Sequence, residues 1–219
     1  MSGIQQMLTG GTYKAPGPTT IGQAFGGGFY AGKIAVGGGG VATHYLIVAP
    51  KASGENSSRT WGVYGTTTGI TSVINGPTNS ASLAALGASY QAATFCEGLT
   101  IGGYSDWYLP AKNELEVCYY FLKPTTNANN TVFGSNANAV SPEPISTNYT
   151  SGSPAQTSAG IGFRVGETNA FTVGSGPDYW TSTEVDANTT WFQVFPAGDQ
   201  GGGSKNATKY VRAVRRIPV

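Results

Sequence analysis

The sequence predicts a single α+β domain preceded by a short arm, on three observations. Strand-like segments lie towards both ends of the 219 residues, helical periodicities lie between them, and strand and helix do not alternate as they would in a parallel sheet. Composition agrees with this. Charged residues make up 11%, against roughly 25% in an ordinary soluble domain, and 33 glycines are about twice the usual share, both marks of loop-rich β structure. A chain of this length can bury a sizeable core as one domain.

Residues 1–21 are polar and punctuated by Gly10-Gly11 and Pro16-Gly17-Pro18, so they read as an arm or anchor ahead of a domain at 22–219. Thr43–Ala49 (THYLIVA) and Thr60–Tyr64 (TWGVY) have the β-branched and aromatic content of strands. Three glycine runs, Gly26–Gly28, Gly37–Gly40 and Gly201–Gly203, lack the Gly-Lys-Ser/Thr of a phosphate loop and read as tight turns. From Ser80 to Glu97 the spacing of Leu83, Leu86, Tyr90 and Ala93 predicts one amphipathic helix. Leu115, Cys118, Tyr119 and Leu122 predict a second, opened after Pro110 and stopped by Pro124. About fifty residues, 124–178, then run through Asn, Thr, Ser, Gly and Pro with scattered apolar anchors. An excursion of that length inside a compact domain is usually functional or mobile. Tyr179–Thr183, Thr190–Phe195 and Lys209–Ile217 close the chain as antiparallel strand candidates.

Several kinds of chemistry find little support. A net charge of +1 offers no electrostatic footprint for nucleic acid or an anionic membrane, and no stretch approaches the length of a membrane span. His44, the single histidine, has no second ligand nearby and reads as a strand-end residue. Cys96 and Cys118 fall on apolar helix faces and read as small core hydrophobes, not as a copper-binding pair. Glu143, Glu167, Asp178, Glu184 and Asp186 could supply the carboxylates of a glycosidase, but nothing in the sequence fixes a pair. Pro142-Glu143-Pro144 and Asp106-Trp107-Tyr108 lack the paired amide and carboxylate oxygens of a calcium-dependent sugar site. Trp61, Trp107, Trp180 and Trp191 read as buried, and Arg212 and Arg215 as structural partners. The reading is a non-enzymatic chain without metal or cofactor.

Three separated motifs carry a resemblance. GGYSDWYLPAKNEL at 102–115, YWTSTE at 179–184 and YVRAVRRI at 210–217 occur in the order found in the domain at the C-terminus of Lcl-type collagen-like adhesins, and the chain resembles that family over about residues 22–217. The family is similar to C-type lectins and to the formylglycine-generating-enzyme fold. The resemblance therefore implies a C-type-lectin-like fold with two helices around small antiparallel sheets. Two departures stand out. Ala111 replaces the Ser or Thr expected three residues before Glu114, which removes a cap oxygen and predicts a helix weaker by about 1 kcal/mol. The tract at 124–178 is an insertion where the family is shorter, in the region where such folds carry ligand contacts.

The opening SGIQQML with its glycines is similar to the start of phage tail and fibre proteins, and Met1–Tyr13 shows no secretory signal pattern. The expectation is a phage virion protein, a tail-fibre or spike component assembled in the host cytoplasm. Its lectin-like domain would attach to a host-surface glycan or protein. Tyr149, Phe163, Arg164 and Phe171 of the tract are the candidate ligand contacts, since aromatics and Arg dominate hot spots. Ile4, Met7, Leu8 and Tyr13 are the candidate particle-docking residues, seated in a groove of other virion proteins. Symmetric homo-oligomers are the common form of fibre parts, trimers among them. A decoration or joining protein without a receptor is the alternative, and a bacterial surface adhesin the third.

Overall fold

The computed structural model describes residues 16–140, 147–174 and 176–219. Among the described residues nine strands and four helices follow the order β1 (Ala24–Phe25), β2 (Gly28–Ile34), β3 (His44–Val48), α1 (Lys51–Gly54), β4 (Glu55–Thr60), α2 (Gly76–Ala85), α3 (Gln91–Glu97), α4 (Lys112–Leu122), β5 (Asp178–Glu184), β6 (Thr189–Val194), β7 (Gln200–Ser204), β8 (Thr208–Arg212) and β9 (Val214–Pro218). The domain is α+β, as the order of segments in the sequence predicts. Its strands form a four-stranded sheet, β1-β2-β3-β9, and a five-stranded sheet, β4-β8-β5-β6-β7. Pairing is antiparallel except where β5 meets β8 in parallel at Tyr179 and Tyr210.

Several elements differ from the sequence reading, each for a local reason. The helix expected from Ser80 to Glu97 is two helices. Gly87 takes φ +106°, a left-handed conformation that ends α2, and Leu86 is left 53% exposed while Leu83, Tyr90 and Ala93 are buried. TWGVY is not a strand: β4 ends at Thr60, and Trp61 is drawn into the core by its indole N–H, which donates to the Thr181 carbonyl at 2.8 Å. Lys209–Ile217 is two strands in different sheets, broken at Ala213. The glycines at 201–203 lie within a strand, not a turn. Gly201 and Gly203 are small for a reason, since a Cβ would come within 2.8 Å of the Phe192 and Trp180 rings respectively.

The core lies on both sides of α4, which is buried almost all round. Leu115, Val117, Cys118, Tyr119 and Leu122 supply its apolar surface. Gly32 on β2 lets the helix approach, because a Cβ there would meet the Phe121 ring at 2.6 Å. Trp61, Trp107, Trp180, Leu83 and Cys96 form a second cluster between α2, α3 and the five-stranded sheet. Both cysteines are free, buried thiols, and burial pushes each thiol up from its ordinary range.

The opening of α4 lacks a side-chain cap at Ala111, as the sequence predicts. Glu114 still accepts from the Ala111 N–H at 2.8 Å, and the first-turn N–H groups find acceptors elsewhere: Asn113 N–H donates to the Val73 carbonyl at 2.8 Å and Lys112 N–H to the Thr183 hydroxyl at 3.0 Å. The helix end is satisfied across the domain by the partners of Lys112 and Asn113.

Candidate functional site

The long tract is packed inward. α4 carries three polar side chains at buried positions, Asn113, Glu114 and Glu116, and burying them requires hydrogen-bond partners. The tract provides them. Asn136 donates to the Asn113 carbonyl at 2.8 Å and to Glu116, Asn113 donates to the Asn138 side chain at 2.8 Å, and Tyr149 donates its hydroxyl to Glu116. At the far end of the helix Lys123 donates to Asn127, Asn129 and Pro154, and Asn129 also accepts from the Tyr119 hydroxyl at 2.5 Å. Burial pushes the Glu116 carboxyl up to about 7, against the opposing pull of its Tyr149 and Asn136 hydrogen bonds. Glu114 is served from elsewhere, by Tyr108 and by Arg216 at 2.7 Å.

This packing corrects the expected ligand contacts. Tyr149, Phe163 and Phe171 are core side chains, 5%, 0% and 1% exposed, and are closed to any ligand at the surface. Phe171 stacks on Phe195 with ring centroids 3.7 Å apart, Phe163 meets Phe29 edge to face at 5.5 Å, and Tyr149 lies against Tyr119. Arg164 is half-buried and works as a loop staple, donating to the Thr157 carbonyl at 2.8 Å. The returning limb is clamped by Arg212, which pairs with Glu55 at 2.8 Å and donates to the Asn169 carbonyl. Arg215 pairs with Asp106 at 2.7 Å, so both arginines are structural partners as the sequence reading has them. Ile4, Met7, Leu8 and Tyr13 lie outside the described residues, as does Glu143. The other glycosidase candidates are dispersed: Glu167 holds Gly160 and Arg164 N–H groups, Asp178 pairs with Lys209, Asp186 caps its own turn, and Glu184 is buried.

The exposed counterpart is the loop between β4 and α2, residues 62–75, which presents Val63, Tyr64 and Val73 with exposures of 41–55%. Beneath it lies an ion pair of Glu184 and Lys205 whose side chains are 1% and 0% exposed. Both partners reach the loop. Glu184 accepts from the Thr68 and Gly69 N–H groups at 2.8 and 2.7 Å, and Lys205 donates to the Thr66 carbonyl at 2.7 Å. Burial alone would raise the Glu184 carboxyl, but Lys205 and the two loop N–H groups outweigh it and hold the group below its ordinary range. Ser72 and Val73 carbonyls are fixed by the Thr183 hydroxyl and the Asn113 N–H at 2.9 and 2.8 Å. The loop is thus set in one shape before it meets anything.

Trp191, next in β6 to Thr190, the cross-strand partner of Glu184, is the half-buried member of the four tryptophans and the exception to their expected burial. The Lys112 ammonium lies 4.8 Å from its ring centroid. Val185, on the turn that follows Glu184, is 42% exposed. Sequence reasoning passed over this surface, reading TWGVY as a strand. The available signal was a pair of large apolar residues, Val63 and Tyr64, set in a run of Gly and Thr that offers them no regular element to pack on.

Among the described residues no helix is long and apolar enough to cross a membrane, and no three His, Cys, Asp or Glu side chains converge as metal ligands. No curated protein matches the sequence. A crystal structure of a fimbrial protein from Bacteroides ovatus ATCC 8483 is 13% identical with a TM-score of 0.42, over 78% of this chain and 35% of that one. The chain spans about a third of that protein's length, and the likeness is too slight to bear on fold or function. The sequence profile of the Lcl C-terminal domain matches residues 56–215. The matched span contains the loop, the frame that holds it, the first two motifs and most of the third, and the chain belongs to the Lcl C-terminal domain family.

Proposed function

We propose that the domain is a non-catalytic attachment module, and that the end of the five-stranded sheet carrying Val63, Tyr64, Val73 and Val185 is the surface it presents to a host-surface glycan or protein. One observation carries the reading: exposed apolar side chains stand on a loop whose backbone is held by a fully buried ion pair. A buried pair is a costly way to gain stability, whereas a loop ordered in advance loses less entropy on binding. Membership of the Lcl C-terminal domain family fits such a module. Within the fold, α4 at the centre, the late strand β9 paired back on β3, and the long tract between α4 and β5 support a C-type-lectin-like arrangement.

The setting is proposed to be a phage virion, with residues 1–15 as the docking arm to other virion proteins and a symmetric homo-oligomer as the assembled form. Residues 16–21 already lie on the domain. Pro18 is buried, Gly17 packs against the Tyr45 ring, and the segment forms one wall of a cleft of about 550 Å³ with Tyr30, Lys33 and Phe121 opposite.

Deleting the tract is the wrong test, because it removes core residues. The test is Tyr64→Ala combined with Val63→Ser, read by adsorption to host cells and by thermal unfolding. Adsorption should fall about tenfold or more with an unchanged melting temperature. Unchanged adsorption would end this assignment of the surface. Incorporation into particles with no affinity for cells at all would mark a decoration or joining protein, and surface display on a bacterial cell an adhesin.

A further inference from the structure

We propose that the cleft between residues 16–21 and the four-stranded sheet binds a small hydrophobic monocarboxylate, its carboxylate held by Lys33, Tyr30 and Tyr45. The site shares no residue with the proposed attachment surface and stands independently of it.

A backbone irregularity builds the sheet side of the cleft. In β2, Tyr30 lies opposite Ile47 and Lys33 opposite Tyr45, with the register shifted between Tyr30 and Gly32. Ile47 and Tyr45 are two apart in β3 and share a face, so their cross-strand partners share it too. In a regular strand, residues 30 and 33 would point to opposite faces. The bulge at Ala31 turns Lys33 to the side of Tyr30, while Ala31 and Ile34 still serve the core around α4.

The opposite wall is fixed by hydrogen bonds. Gly22 N–H donates to the Tyr30 carbonyl at 2.8 Å, Tyr30 N–H to the Gln23 carbonyl at 2.9 Å, and the Gln23 side chain accepts from the Thr19 N–H at 3.1 Å. Gly17 lies so close to Tyr45 that a Cβ would run into the phenol hydroxyl, which places that hydroxyl at the cleft wall. The volume of about 550 Å³ lies within the roughly 300–1,000 Å³ usual for small-molecule sites.

The polar groups of the cleft point to the ligand. Tyr30 is only 6% exposed, and among the described residues no hydrogen bond or ion pair engages its hydroxyl, the Tyr45 hydroxyl or the Lys33 ammonium. The ammonium lies 5.6 Å from the Tyr45 ring centroid, and the Tyr30 and Tyr45 rings meet edge to face at 5.7 Å, so the three side chains form one group. Burial, with Tyr45 beside it, pushes the Tyr30 hydroxyl up to about 12, which keeps it protonated as a donor. Buried polar groups are ordinarily hydrogen-bonded, and one cation with two hydroxyl donors matches the oxygens and single charge of a carboxylate. Pro16, Ile21, Phe121 and Val140 line the rest and offer apolar surface to the body of the ligand. A free acid and the C-terminal apolar residue of a peptide both have this chemistry.

The test is calorimetric titration of the whole chain with 3-phenylpropionate, its uncharged amide and N-acetylphenylalanine. At least one acid should bind in the millimolar range or tighter, and 3-phenylpropionate at least tenfold more tightly than its amide if it is the free acid that is taken. Tighter binding of N-acetylphenylalanine would assign the site to peptide termini, and weaker binding to free acids. Lys33→Met, which keeps the apolar stem, should weaken the bound acid by about tenfold or more, and Tyr30→Phe by about fivefold, each with an unchanged melting temperature. The Tyr64→Ala, Val63→Ser protein should bind as the native chain does. Absence of binding by both acids, equal binding of an acid and the amide, or acid binding unaltered by both Lys33→Met and Tyr30→Phe overturns the site.

Discussion

The tract at 124–178 and the loop at 62–75 are both written in Gly, Thr and Asn, yet they do opposite things. The tract turns its aromatic side chains into the core and spends its asparagines on the buried polar groups of α4. The loop turns Val63 and Tyr64 to solvent and is held from below by Glu184 and Lys205. A polar composition thus has two physical meanings. It can be polar because water surrounds it, or because the element it covers is itself polar and must be satisfied.

The largest expected effect separates the two meanings. Phe171→Ala should cost about 3–5 kcal/mol in chemical denaturation, the range for deleting a buried aromatic, whereas a surface contact residue would leave stability unchanged. A result below about 1 kcal/mol would place the tract outside the core and collapse the contrast.

Next in size is a pH dependence located at Glu116. Its carboxyl titrates about 7 in the folded chain and near 4.5 when free, so the unfolded chain releases the proton first as pH rises. Stability from this group is therefore greatest below about 4.5, falls between there and about 7, and stays level above, a change of about 3 kcal/mol at most. Unfolding measured across that window should show a slope in the native protein that Glu116→Gln lacks. Parallel curves would mean that the carboxyl is not desolvated by the tract.

A smaller effect tests how the loop's frame also serves α4. Thr183→Val removes the hydroxyl that caps Lys112 N–H and fixes the Ser72 carbonyl, and should cost about 1–2 kcal/mol by thermal unfolding. The smallest effect sharpens the comparison most: Tyr64→Ala should change stability by no more than about 0.5 kcal/mol, as for an exposed residue with no structural duty.

Much of the fold is legible in the sequence, and what is not has a common cause. Strands β3, β5 and β6 and helix α4 announce themselves because each carries its own periodicity and boundary residues. Strand β7 does not, since three glycines carry no side-chain pattern; its place in the sheet is dictated by Phe192 and Trp180, which need bare backbone opposite them. The acceptor for Lys112 N–H at the start of α4 is unreadable locally because it is Thr183, 71 residues away in sequence. The burial of the expected contacts Tyr149, Phe163 and Phe171 is unreadable for the same reason. Length and composition of 124–178 are visible, but the polar helix face that the tract serves comes into view only when α4 is seen to be buried almost all round. Of the chemistry, Arg212, Arg215 and the two cysteines are correctly read from their neighbours in sequence, whereas the Glu184–Lys205 pair joins residues whose partnership no local pattern records.

The break at Ala213 has a consequence for the making of the protein. β8 completes the five-stranded sheet by joining β4 to β5, and β9 completes the other by pairing with β3, so the eleven residues from Thr208 to Pro218 fasten both. On a ribosome adding roughly 5–20 residues per second, β3 waits on the order of ten to thirty seconds for its second neighbour. Throughout that interval the hydrophobic edge Tyr45–Val48 has no strand of its own to close it. Production of this domain is therefore governed by what shields the β3 edge while the chain is still growing, and yield should respond to slower elongation or to chaperone supply more than to the stability of the finished fold.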